Sequence, residues 1–280
     1  MKGLIALDID GTLTADIHSI PLEVVRYLER LVSEGWQICL ITGRCYAMAS
    51  FALEALRFPY HLAVQNGAII LDMHSKKICH RQYLDVRVIS SMERICEGEP
   101  TDFIVYTGME NQDICYYRPK CFDSQILQYI EQRAVSCKEN WEPVDSFDEL
   151  SFPSITAMKC IGPIDVVERI SERVKVELKL QVPVIRDPLG ENIFVAQATH
   201  PEVNKGGAVR NIKRLLNLQG PVIAAGDDHN DRSMLEEADF KIVMESAPKE
   251  LREIADLVAA PAEERGVISA LEQAIKLKGA

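Results

Sequence analysis

Leu4-Ile5-Ala6-Leu7-Asp8-Ile9-Asp10-Gly11-Thr12 is the stretch that decides how this chain is read. The four apolar residues predict a strand over 4–8 that is buried on both faces. Asp8 and Asp10 then stand one residue apart at its exit. Like charges repel, and burial disfavours both ionised forms, so this placement is costly. A divalent cation between them removes the cost. Gly11-Thr12 predicts a turn at which the backbone can approach a ligand closely.

Around this stretch, strand and helix alternate. A helix is predicted over 21–34, with Pro21 in its first turn and Leu22, Val25, Leu28 and Val32 on one face. A strand over 36–41 leads into Thr42-Gly43-Arg44, followed by a helix over 46–56. A strand over 62–64 stops at the Asn66-Gly67 turn, and 68–71 with 77–79 read as a hairpin. This βαβαβ order predicts a parallel sheet with right-handed crossovers.

The middle third has a different character. Helices are predicted over 85–96, 124–134 and 164–176, with paired strands at 103–106 and 114–118. A strand at 154–161 and a hairpin of 182–186 with 192–196 follow, and 135–150 reads as irregular and acidic. The alternation returns with a helix over 205–216, opened by Gly206-Gly207. A buried strand at 221–225 then ends in Gly226-Asp227-Asp228, with helices and short strands to 276. The expected architecture is α/β: a doubly wound, Rossmann-like parallel sheet (1–82 and 199–280) interrupted by an α+β module (83–198).

The 280 residues suit one large or two modest domains, and 47% hydrophobic composition supplies a core. Thirty-one basic against 42 acidic residues give a net charge of −11, which argues against nucleic acid or an anionic membrane as a partner. An anionic substrate therefore needs a local positive site or a metal. The eight cysteines form no Cys-x-x-Cys pair and no zinc-ligand spacing with histidine, so reduced thiols are expected. No signal region and no stretch of ~18 apolar residues are seen. A cytoplasmic protein, monomeric or weakly homo-oligomeric, is expected.

Asp8/Asp10, Thr42 and Asp227 each follow a predicted core strand, and Lys205 opens a helix. Ligands of open α/β sheets bind at the carboxyl ends of the strands. There the carboxylates suit an octahedral, oxygen-liganded cation such as magnesium. The threonine hydroxyl, the lysine and the helix N-terminal amides suit phosphate oxygens. A solvated lysine at a helix start is electrostatically poor, so Lys205 is better explained by a nearby carboxylate or phosphate. Asp228 is read as a cap of the following helix, with a second metal contact as the alternative.

In this order and spacing, Asp8-x-Asp10-Gly11-Thr12, Thr42-Gly43-Arg44, Lys205-Gly206 and Gly226-Asp227-Asp228-x-Asn230-Asp231 resemble the four motifs of the haloacid dehalogenase superfamily. Asn66-Gly67-Ala68, Glu264-Arg265-Gly266-Val267 and the long insert resemble its Cof-like hydrolases with a type IIB cap. The resemblance implies a magnesium-dependent phosphatase of small phosphomonoesters, sugar phosphates foremost. Asp8 is then the nucleophile and Asp10 the general acid and base, with the Asp10 backbone carbonyl on the metal. Asp8 and Asp227 are the carboxylate ligands. Thr42 and the Gly43 amide hold the phosphate, Lys205 binds it and neutralises charge on Asp8, Asp231 orients Lys205, and Asn230 supports the loop or the phosphate.

Lys159, Arg186, Arg118 and Glu191 in the insert, with Arg44 and Asn66 from the core, are candidates for substrate contact. A phosphomutase using the same chemistry is the alternative, and a non-catalytic phosphosugar-binding protein a further one. Many family members carry glycine where Glu202 stands, so the loop before Lys205 departs from the pattern.

Overall fold

The computed structural model describes residues 1–187, 189–190 and 192–278; Glu191, a candidate above, lies outside the described residues. The chain divides into two compact units. The first comprises Met1–Arg44, Ala49–Arg81 and Asn204–Ala280, the second Cys45–Met48 and Gln82–Val203.

The first unit is built on an eight-stranded sheet. Its strand order is Leu257–Ala259, Phe240–Met244, Val222–Gly226, Leu4–Leu7, Gln37–Ile41, His61–Val64, Ile69–Asp72 and Lys77–Arg81. The first six run parallel, and the last two form an antiparallel hairpin on the edge. This is the α/β parallel core expected from the alternation. Leu4 and Ala6 pack on one face with Val209 and Ile212 of the Lys205–Leu215 helix and with Met234 and Leu235. Ile5 and Leu7, pointing the opposite way, are equally buried. A strand covered on both faces can be apolar without alternation, which is why Leu4–Leu7 and Val222–Gly226 read as unbroken apolar runs.

The register of this sheet sets the position of the polar clusters. Leu7 lies level with Leu40 on one side and Ala225 on the other. The residues just beyond, Asp8, Thr42 and Asp227, therefore emerge at the same carboxyl edge.

The second unit holds a six-stranded sheet in the order Val184–Arg186, Phe194–Ala198, Ala157–Gly162, Phe103–Tyr106, Ile114–Tyr117 and Asn140–Pro143. Helices Val88–Cys96 and Ile164–Arg173 bury Met92, Ile95, Val167 and Ile170 against Phe103, Val105, Met158 and Cys160 of the sheet. Two expectations are corrected here. The stretch read as irregular contains the strand Asn140–Pro143, parallel to Ile114–Tyr117. The strand expected over 154–161 breaks at Thr156, whose amide and hydroxyl both donate to the Tyr106 carbonyl. Its first part, Ser154–Ile155, pairs instead with Leu84–Asp85. All eight cysteines are free thiols, and no helix among the described residues is long and apolar enough to cross a membrane.

Candidate active site

Asp8 sits at the end of its strand, only 6% exposed, and accepts a hydrogen bond from Lys205 Nζ at 2.6 Å. The same ammonium donates to Asp231 Oδ1 at 2.6 Å, and Lys205 and Asp231 are both fully buried. Asn204 caps the lysine's helix by accepting from the Gly207 amide, so the ammonium is fixed by its own first turn. Glu202, the departure in the preceding loop, does not prevent this placement.

Asp231 accepts three hydrogen bonds. One oxygen takes Lys205, and the other accepts from the backbone amides of Asp227 and Asp228 at 2.9 and 3.0 Å. Asp228 returns the favour by accepting from the His229 amide in a capping box, so the turn carries Asp228 as a cap. Among the described residues, the Asp227 carboxylate accepts from the Thr12 hydroxyl, at 3.0 Å to its Oδ1.

Gly11 explains how these loops approach. Its φ is +73°, and a Cβ there would fall 2.1 Å from Asp227 Oδ2. The glycine expected to let a ligand in is required by the approach of Asp227 itself.

The electrostatics show what this arrangement lacks. One oxygen each from Asp8, Asp227 and Asp231 lie within 4.8 Å of one another. Lys205 brings a single positive charge against three carboxylates. Burial, then the charge of Asp231, pushes Asp8 up from 3.8 to about 7 despite Lys205. Burial, then the charge of Asp8, pushes Asp227 up to about 9. Burial opposes the charge of Lys205, yet its two carboxylate partners win and hold it above the usual lysine range. Asp8, Asp227 and Asp231 could together hold a cation, and Asp231 is the most heavily hydrogen-bonded of the three. A buried carboxylate beside a half-buried one, with a single ammonium between them and Asp231, fits a hard dication.

Thr42 is buried, and its Oγ1 accepts from the Arg44 amide at 3.1 Å, which closes the Thr42-Gly43-Arg44 turn. The hydroxyl proton remains to be donated. Asn230 Nδ2 donates to Asn66 Oδ1 at 3.3 Å.

Asp10 is partly exposed and carries a partner that the motifs did not predict. Arg44 donates from Nε to Asp10 Oδ2 at 2.8 Å and from Nη2 to Oδ1 at 2.5 Å. Its Nη1 donates to the Ile17 carbonyl at 2.8 Å. Arg44, a candidate for substrate contact, is buried and clamps Asp10. Arg118, another candidate, is ion-paired with Asp102 and Glu93 and stacked over Phe147.

Lys159 is buried within the second unit, its Nζ 4.4 Å from the Tyr106 ring centroid, and burial lowers its pKa. Arg186 is exposed at the end of the Val184–Arg186 strand. A buried ionic group that the sequence reading missed surrounds Arg133, which meets Glu139 and Asp187. Its members are spread over some fifty residues with no local motif.

This edge, with Asp8 beside Lys205 and Asp227, is the candidate site of the chain. The family model described as haloacid dehalogenase-like hydrolase matches residues 5–271, and the chain belongs to that family. It is 27% identical to phosphatase YwpJ of Bacillus subtilis (strain 168), covering 94% of this chain and 96% of the relative. It is 24% identical to a phosphoglycolate phosphatase of Methanothermobacter thermautotrophicus, covering 96% and 97%. Among solved structures, the haloacid dehalogenase subclass IIB sugar phosphatase BT4131 shares the fold. Its TM-score is 0.77 at 22% identity, covering 97% of this chain and 98% of that one.

Proposed function

We propose that this haloacid dehalogenase-type phosphatase hydrolyses small phosphomonoesters, sugar phosphates foremost, with magnesium at Asp8 and Asp227 and through an aspartyl-phosphate on Asp8. The observation that carries the reading is the environment of Asp8. It is a buried carboxylate at a strand end, with an ammonium on one oxygen and a second, uncompensated carboxylate beside it.

When bound, the dication screens the carboxylates from an anionic phosphoryl group and holds its oxygens. Asp8 attacks phosphorus, and the ester oxygen leaves with a proton from Asp10. Water then attacks the aspartyl-phosphate, giving its proton to Asp10, and inorganic phosphate leaves. Lys205 neutralises charge on Asp8 and on the transferring group. Asp231 keeps that lysine charged and aimed. The Thr42 hydroxyl, the Gly43 amide and Asn230 hold the remaining phosphoryl oxygens, the Asp10 carbonyl completes the protein ligands, and the unit Gln82–Val203 serves as the type IIB cap that selects substrate. Relatives named a phosphoglycolate phosphatase and a sugar phosphatase support the choice of small phosphorylated metabolites.

The test is phosphate release from a panel of phosphorylated sugars and hydroxy acids, with magnesium and with EDTA. Release that needs magnesium supports the reading. Isomerisation of a sugar phosphate without free phosphate replaces it with a mutase.

A further inference from the structure

Residues Gln65, Asn66 and Gly67 have φ of 50°, 58° and 104°, three successive left-handed positions directly after the strand His61–Val64. The turn lies among the parts of the site. The Asn66 amide donates to the Thr42 carbonyl at 2.8 Å. A Cβ on Gly67 would fall 2.9 Å from Ala208 Cβ, in the helix that Lys205 opens. The Asn66 side chain accepts from Asn230, the neighbour of Asp231.

Asn66 is 3% exposed, and its Nδ2 has no hydrogen-bond partner among the described residues. A carboxamide offers two donors and an acceptor oxygen, and here only the oxygen is used. Asparagine tolerates the left-handed backbone, but burying its unpaired donor is unfavourable. Glycine would make the same turn without that penalty. The use of the side chain present in the structure is its bond to Asn230.

We propose that Asn66 is a positioning residue for the phosphoryl site: it does not touch substrate, as first expected, but holds the partly exposed Asn230 carboxamide in the orientation that meets a phosphoryl oxygen. The proposal rests on the phosphatase reading above, through the assignment of Asn230. One residue then ties the Thr42 loop, by its backbone, to the Asn230 turn, by its side chain. The two side chains are 164 residues apart in sequence.

Asn66→Gly isolates the side chain, because glycine suits φ 58° and keeps the turn. The experiment is a double-mutant cycle of Asn66→Gly and Asn230→Ala. The readouts are the affinity for inorganic phosphate in the presence of magnesium, and KM and kcat on p-nitrophenyl phosphate. Melting temperatures establish folding. Each single variant is expected to weaken phosphate binding by about fivefold, the scale of one hydrogen bond, and to raise KM more than it lowers kcat. The double variant is expected to bind no more weakly than Asn230→Ala alone.

Wild-type affinity in Asn66→Gly overturns the proposal. So does a double variant that loses the product of the two single effects, since Asn66 would then act independently. Turnover by the wild-type protein reports the function separately. Phosphate binding with the coupling intact but no turnover would defeat the phosphatase reading and leave the positioning role standing. A wild-type protein that binds no phosphate overturns both.

Discussion

Arg44 and Asp10 are joined by two parallel hydrogen bonds, Nε to Oδ2 and Nη2 to Oδ1, with the third arm of the guanidinium on the Ile17 carbonyl. This fork fixes the plane of the Asp10 carboxylate, and a lysine ammonium cannot reproduce it. Arg44→Lys is predicted to lower kcat for an alkyl phosphate about tenfold, within the usual contribution of one acid–base group. Its effect on p-nitrophenyl phosphate, whose leaving group needs no proton, is predicted to be smaller. Steady-state kinetics on the two substrates check this, and equal losses would mean that Arg44 serves the fold rather than Asp10.

Lys205 sits between two buried carboxylates. Lys205→Met leaves both without their counter-charge, a change of the kind that costs about 3–5 kcal/mol. Urea denaturation without metal is expected to show a loss on that scale. A change under about 1 kcal/mol would show that Asp8 and Asp231 do not depend on the lysine.

Gly11→Ala places a methyl group on Asp227 Oδ2 at a backbone angle that alanine disfavours. Magnesium affinity, read by the metal concentration that gives half-maximal turnover, is predicted to fall at least about tenfold, the scale seen when groups that orient a metal ligand are lost. Unchanged metal dependence would remove Asp227 from the metal site.

The metal-free protein carries a pH signature. Asp8 and Asp227 are raised from 3.8 to about 7 and about 9. Between the ordinary value and the raised ones, the folded state holds protons that the unfolded chain has released. Stability without metal therefore falls as pH rises through this window. A bound dication favours the ionised carboxylates, so the rise in melting temperature on adding magnesium is predicted to be larger near pH 9 than near pH 5. Melting curves with EDTA and with magnesium at both values test this. A magnesium effect independent of pH would contradict it.

The core was legible because its strands are covered on both faces. Leu4–Leu7 and Val222–Gly226 are uninterrupted apolar runs ending in acidic residues, and their shortness and flanking turn residues favour buried strands over helices. Asn140–Pro143 was not legible: Asn-Trp-Glu-Pro, largely exposed on an edge, has neither alternation nor β-branched residues. The break at Thr156 was hidden because the residues on either side, Ser154-Ile155 and Ala157-Met158, both suit a strand, and only their different partners separate them. In the site, the motifs named the residues and the Lys205–Asp231 partnership, but not the partners of Arg44 and Asn66. The Arg44 fork spans 34 residues and the Asn66–Asn230 bond spans 164, and no local pattern encodes a contact at such separations. Both residues were expected only as candidates for substrate contact, and the fold pairs each with a neighbouring side chain.

The most direct test of the account is to trap the covalent intermediate. The protein is mixed with a sugar phosphate that it hydrolyses, in magnesium, quenched rapidly in acid and digested, and the peptide containing Asp8 is weighed. The account predicts that this peptide gains the mass of one phosphoryl group, that EDTA abolishes the gain, and that Asp8→Asn abolishes both the gain and turnover while the protein stays folded. Phosphate release by Asp8→Asn at the wild-type rate, or a phosphoryl group found on any other residue, would contradict it.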